Sequence, residues 1–186
     1  MNRSREIIDI LRDVVKATAE GCNIVMSSSN GTTKEIACPP INYTFGNDVY
    51  VKERLEELSK TPKGIKFPLV ALFCPFDERR ASADYFSEAK VSLLIACSTR
   101  QQWSNEERLE RSFKNILRPI YNRLLEALKE DGRIDFGYKD VISHNYSENY
   151  SYGRYGAYTR AGDTSEPIDA INITNLELKI KPQTCR

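Results

Sequence analysis

Two nearly unbroken apolar runs, "KFPLVALFCPF" and "AKVSLLIACST", constrain the fold of this 186-residue chain more than any other feature. Each is too short for a membrane span, which needs about 18 apolar residues, and each has the length of a strand buried on both faces. They predict strands at about 67–74 and 89–99, close enough in sequence to be antiparallel neighbours. Between them "PFDERRASADYFSE" reads as a polar, ordered loop.

The remaining segments fall around this pair. "SREIIDILRDVVKATAEG" sets Ile7, Ile8, Leu11, Val14, Val15 and Thr18 on one helical face, with Ser4 as N-cap and Gly21 as the stop. "CNIVMSSSNGTTKEIAC" predicts a hairpin that turns at Asn30-Gly31, a pair suited to φ > 0 at both positions. "GNDVYVKERLEELSKTPKG" gives a short helix capped by Asn47 or Asp48, with Val51, Leu55 and Leu58 inward. The strongest helix, 104–132, opens on the capping box Ser104-x-x-Glu107. Its stripe is Leu109, Phe113, Ile116, Leu117, Ile120, Leu124 and Leu128, and Pro119 predicts a kink near Asn115. The final strand alternates Ile171, Ile173, Leu176, Leu178 and Ile180. Its phase slips at Thr174-Asn175, which predicts a bulge.

This order predicts one α+β domain over 1–186: a single, mostly antiparallel sheet, helices packed on one face, and an extended loop or hairpin arm at 133–166. The arm carries "NYSENYSYGRYGAYTRAG", in which Tyr146, Tyr150, Tyr152, Tyr155 and Tyr158 sit among Ser, Gly and Asn. Disordered segments are poor in aromatics. A base-stacking surface would carry more cations than Arg154 and Arg160. Tyrosine with small polar neighbours is the composition of protein-binding surfaces, so these five tyrosines are the expected partner interface, with a loop folded over its own domain as the alternative.

Composition narrows the chemistry. Lys and Arg (27) nearly balance Asp and Glu (26), which excludes a broad nucleic-acid-coating surface but leaves room for a local basic patch. Five cysteines without a C-x-x-C spacing read as reduced thiols of a protein made in a cytosol. The charged N-terminal stretch predicts no signal peptide. No phosphate-binding glycine loop, dinucleotide fingerprint, nucleophile elbow or zinc motif occurs, and His144 is the only histidine. No catalytic residue, cofactor or metal is therefore expected. Asp77, Glu78 and His144 are the polar group a metal-dependent nuclease would have to use.

The succession of these elements, with "FPLVALF", "ILRPIY" and "DAINITNLEL" as its most specific pieces, resembles small structural proteins of tailed bacteriophages. The likeness spans about residues 1–180 and is to the tail-completion or tail-terminator-like group at the head–tail junction, in particular versions from phages of Bacteroidetes. The resemblance implies a non-enzymatic virion protein, assembled in the host bacterial cytoplasm as a homo-oligomeric ring around the DNA channel. Its implied partners are itself and the neighbouring portal, adaptor and tail proteins, with no membrane. Packaged DNA would be touched only through non-specific channel contacts, for which Lys63, Lys66, Arg79 and Arg80 are candidates. The tyrosine arm is longer than a minimal ring subunit needs. A bacterial adaptor or binding module with a similar fold is the alternative, ahead of the nuclease.

Overall fold

A computed structural model describes residues 4–27, 32–51, 53–54, 66–80, 87–138, 140–152 and 167–181. The expected apolar runs form adjacent antiparallel strands: β4 (Leu69–Phe73) pairs with β6 (Ser87–Ser98), matching Leu69 with Ala96 and Leu72 with Leu93. Around them lie α1 (Ile7–Glu20), β1 (Asn23–Ser27), β2 (Thr33–Ala37), β3 (Asn42–Gly46) and β5 (Asp77–Arg80). The long helix α2 runs from Asn105 to Glu130, and β7 (Asn145–Tyr152) and β8 (Ile168–Ile180) complete the order.

The architecture is α+β, with two sheets in place of the single one expected. β1 and β2 form a separate hairpin, whose Asn30-Gly31 turn lies outside the described residues. The main sheet has the order β3-β4-β6-β8-β7, with β5 also on β6. β3 runs parallel to β4, so this sheet is mixed. The sequence assigns no element to 41–46 and a loop to the segment that contains β5. "DERR" carries no apolar alternation, "NYTFG" shows one only through Tyr43 and Phe45, and each strand is held by backbone pairing to an apolar neighbour, β4 or β6.

β6 is the spine. Its second half takes β4 and its first half takes β5 on one side, while β8 runs along the whole of the other side. Helices α1 and α2 bury one face through Ile7, Ile10, Leu11, Val14, Phe113, Leu117, Ile120 and Leu124, against Val91, Leu93, Ile95, Ile171, Ile173, Leu176 and Leu178. The other face is not left bare. Leu69, Ala71, Leu94, Ala96 and Ala170 are buried there with Val51, from a helical turn at 48–51 that Asn47 caps by accepting from the Tyr50 N–H at 2.8 Å. Burial on both faces explains why the central strands are unbroken apolar runs. Leu55 and Leu58 lie outside the described residues.

Toward β5 the same second face becomes a charge lattice. Asp77, Lys90 and Glu177 stand side by side across three strands, and Arg79, Glu88 and Lys179 form the next row with every sign reversed. Lys90 reaches Glu177 at 3.0 Å and Lys179 reaches Glu88 at 3.2 Å. Such exposed pairs contribute only tenths of a kcal/mol each. They do fix the pairing of alternating charged residues and keep that face wet.

Three local features modify the expectations. The residue before α1 is Glu6; Ser4 accepts from the Glu6 N–H at 3.3 Å instead of capping the helix directly. Gly21 follows α1 at φ −107°, so it makes no left-handed turn, and a Cβ there would have to displace the flexible end of the Arg123 side chain. In α2 the strain of Pro119 is absorbed in a nine-residue π-helical stretch, Leu109–Leu117, between α-helical Asn105–Arg108 and Arg118–Glu130. A wider turn carries the upstream carbonyls away from the proline ring, with the Arg118 N–H bonded to the Phe113 carbonyl five residues back. The Ser104–Glu107 capping box forms as read.

The bulge in β8 also forms. Val91 faces Leu176 and Leu93 faces Ile173, so Thr174 and Asn175 together oppose Ser92, and Asn175 takes φ 54°. Asparagine tolerates this left-handed conformation and β-branched residues do not. Asn175→Gly is expected to hold or slightly raise stability, whereas Asn175→Val should cost about 1–2 kcal/mol. Urea denaturation of the two variants measures the difference.

Candidate functional site

The tyrosine segment begins as a strand of the protein's own sheet. Residues 133–143 run back along β8: the Lys181 N–H donates to Arg133 O at 2.8 Å, Asp135 N–H to Lys179 O at 2.9 Å, and Glu177 N–H to Ser143 O at 3.1 Å. β7 then pairs with β8 beyond the bulge, from Asn145 opposite Thr174 to Asn149 opposite Ala170, with Tyr152 opposite Ile168 after a register shift. The stretch 133–152 therefore lies along the sheet and does not project as an arm. Its alternation of small polar and aromatic residues suits a half-covered outer strand, a pattern that composition alone did not separate from a free arm. Tyr155 and Tyr158 lie outside the described residues.

Strand alternation sends His144, Tyr146, Glu148 and Tyr150 to the side of α2. The Phe113 and Tyr150 ring centroids are 4.4 Å apart. Arg118 grips Glu148 with two bonds, Nε to Oε1 at 2.7 Å and Nη2 to Oε2 at 3.2 Å, and the Tyr146 hydroxyl donates to the same carboxylate. Tyr121 meets Tyr146 edge-on at 4.9 Å, and its hydroxyl donates to His144 Nε2 at 2.7 Å. The His144 Nδ1–H then donates to the Ile142 carbonyl at 3.0 Å. From 113 to 121 a helix advances about 12 Å, and from 150 to 146 a strand advances about 13 Å. Matching rises let one strand zip along one helix.

This zipper is only half covered: Tyr146 remains 42% exposed and Tyr150 36%. Burial, then the bond to Glu148, pushes the Tyr146 hydroxyl well above the ordinary tyrosine range. Burial alone would raise Glu148, but the bonds from Arg118 and Tyr146 and the Arg118 charge outweigh it and hold the carboxyl below its usual value. On the opposite face of the strand pair, Asn149 Nδ2 and Asn172 Oδ1 are buried without a hydrogen-bond partner, an unusual state for amides.

The far margin of the main sheet is also aromatic. β3 has β4 as its one neighbour, and beside it Phe45, Val49 and Tyr50 are exposed. Among the described residues, β3 and β7 are the two outer strands of this sheet, each with a single strand neighbour and unlike side chains, separated by the width of the sheet.

A buried ion pair, which sequence reasoning missed, anchors α2 over the start of β8. Arg108 Nη1 lies 3.1 Å from Asp169 Oδ1, with side-chain exposures of 5% and 0%. Arg108 also donates to the carbonyls of Trp103 and Arg100, each at 3.2 Å. In the sequence Arg108 sits inside "NEERLER", where an arginine reads as solvated surface. Only the alternation of "PIDAINI", which places Asp169 in phase with Ile171, signals an inward carboxylate.

The nuclease group does not assemble. Asp77 belongs to the charge lattice, His144 contacts α2 on the other face, and β6 and β8 intervene, a separation of about 14 Å between their strands. Among the described residues no three His, Cys, Asp or Glu side chains gather as metal ligands. Among the channel candidates, Arg80 is bound to Glu78 at 2.8 Å and Glu6 at 3.0 Å, and exposed Arg79 faces Glu88 across the ladder. The Lys66 ammonium lies 5.8 Å from the Phe67 ring centroid, and Lys63 is outside the described residues. No helix among the described residues is long and apolar enough to cross a membrane. No protein-family model matches the sequence, and a search of curated proteins returns no match.

Two outcomes follow from the geometry. Arg108→Met strands a buried carboxylate and should cost about 3–5 kcal/mol, with Arg108→Met/Asp169→Leu recovering most of it; chemical denaturation of the single and double variants reads this. Because the folded Glu148 titrates below its unfolded value near 4.3, its contribution is present above that pH and lost as pH falls through the folded value. Protection factors of the β7 amides, corrected for the intrinsic pH dependence of exchange, should fall below about pH 4, and Glu148→Gln should bring the same loosening at neutral pH.

Proposed function

We propose that this chain is a structural subunit of a tailed-bacteriophage virion, forming a homo-oligomeric ring at the head–tail junction and joining portal-side to tail-side proteins around the DNA channel. The observation that carries this reading is the pair of unlike aromatic edges at opposite margins of one sheet. A ring is built from heterologous contacts, in which each subunit offers one face to the neighbour on its left and a different face to the neighbour on its right. Unprotected strand edges readily accept other chains, and tyrosine is enriched where they do. Tyr146 and Tyr150 are held rigid by α2 yet remain well exposed, which lowers the entropy cost of binding. The resemblance of the sequence to tail-completion proteins supplies the setting.

Within such a ring, Lys63, Lys66 and Arg79 are the candidates for DNA contact, while Arg80 is held by two carboxylates. These cations would meet phosphates without reading bases. Tyr152, Tyr155 and Tyr158 are further candidates for contact with the next subunit.

Native mass spectrometry tests the ring directly. The purified chain, alone or with tail proteins, should form a closed oligomer of fixed stoichiometry. Val49→Glu on the β3 side and Tyr146→Ala/Tyr150→Ala on the β7 side should each weaken assembly about tenfold or more without unfolding the monomer. Mixing the two variants should yield dimers that grow no further, since one intact edge of each kind remains. Phage deprived of the chain should accumulate filled heads and unattached tails. A chain that stays monomeric under all these conditions, with particles joining normally in its absence, overturns the proposal.

A further inference from the structure

The base of the β1–β2 hairpin brings together two thiols that the assembly reading does not use. Asn23 pairs with Ala37 in the ladder, so the next residues outward, Cys22 and Cys38, stand opposite each other. The Cys38 N–H donates to the Cys22 carbonyl at 2.9 Å, which makes them a directly facing pair. Facing residues in an antiparallel ladder have Cα atoms about 4.5–5.5 Å apart, inside the 4.4–6.8 Å range that disulfides span. Both side chains are buried and free, and they enter the core together with α1 and α2. The other cysteines differ: Cys97 sits alone in the main sheet beside Asp169, where burial and that charge push its thiol up to about 12, and Cys74 follows β4 at a distance from the hairpin.

We propose that Cys22 and Cys38 are a dithiol site that closes into a cross-strand disulfide when the protein meets an oxidising thiol pool, stapling the hairpin to the end of α1. The chemistry is thiol–disulfide exchange with a small-molecule disulfide such as oxidised glutathione. The Cys22 thiolate attacks one glutathione sulfur and expels a glutathione thiolate. The Cys38 thiolate then attacks the Cys22 sulfur of the mixed disulfide and expels the second. Two protein S–H bonds lose two protons and two electrons, one S–S bond forms, and glutathione disulfide is reduced to two thiols.

The surroundings assign the order. The Arg123 guanidinium lies against Gly21, so its positive charge stands beside Cys22 and favours the thiolate of Cys22 over that of buried Cys38. Cys22 is therefore the attacking sulfur and Cys38 the resolving one. Burial slows entry of the oxidant, so exchange waits on opening of the hairpin base and proceeds in the slow range of uncatalysed disulfide chemistry. Reduced in a cytosol and oxidised outside it, the pair would harden the subunit after its synthesis. Independently of any ring, the link closes the loop between residues 22 and 38, a length at which a disulfide constrains the unfolded chain substantially.

The test uses the full chain incubated with oxidised glutathione, then alkylated, digested and mapped by mass spectrometry. The expected product is a Cys22–Cys38 peptide pair, with Cys97 still alkylatable after unfolding. Its melting temperature should stand on the order of 5–10 °C above that of the reduced chain, an increment reversed by dithiothreitol. Cys38→Ser should instead stop at a glutathione adduct on Cys22, and neither Cys22→Ser nor Cys38→Ser should show the thermal shift. If those variants fold poorly, the alkylation map of the unmodified chain still decides. Thiols at 22 and 38 that remain free after prolonged oxidation, or that link to other cysteines instead of each other, overturn the assignment.

Discussion

The position of α2 over the main sheet depends on one buried charge pair, Arg108 with Asp169. Taking two ions out of water is costly, and the pair is tolerable only because the guanidinium also serves two backbone carbonyls at the start of the helix. Hydrophobic contacts alone would let a helix slide or rotate over a sheet lined with Ile, Leu and Val. A directional bond at its first turn removes that freedom. Everything downstream on the helix then falls in step with β7: Phe113 at Tyr150, Arg118 at Glu148, Tyr121 at Tyr146 and His144. The exposed aromatic margin is thus set by an interaction that is itself out of solvent.

Much of this was legible in the residues. The two apolar runs, the hairpin, the long helix with its capping box, and the slip at Thr174-Asn175 follow from periodicity and turn chemistry, which act locally. What escaped has a common cause. β3 and β5 are strands because β4 and β6 offer them hydrogen bonds, and nothing in "NYTFG" or "DERR" reveals those neighbours. The partnership of Arg108 with Asp169 joins residues 61 positions apart. Tyr146 and Tyr150 stand out by composition, yet their docking on α2 depends on matching the rise of a strand to that of a helix. Pro119 announced a disturbance near Asn115, and the widened stretch Leu109–Leu117 that takes it up was not legible in the residues.

The sheet has one thoroughly dry face and one divided face. Under the helices it is almost wholly hydrocarbon, interrupted by the Arg108–Asp169 pair at the start of β8. On the other side, alanines and leucines occupy the β4 end and alternating charges occupy the β5 end. β6 serves both environments along a single strand, apolar in its second half and amphipathic in its first, which explains why its sequence begins "SEAKVS" and ends "LLIACS".

The extra residue in β8 reaches further than its own strand. Bulges deepen right-handed twist and bend the strand that carries them. β7 begins opposite Thr174, at the bulge itself, so the outermost strand sets off in a direction that the bend dictates. Straightening β8 would swing that border away from α2 and alter the angle at which a neighbouring molecule could be received. The curvature of any assembly built through this border is inherited, in large part, from the backbone angle of one asparagine.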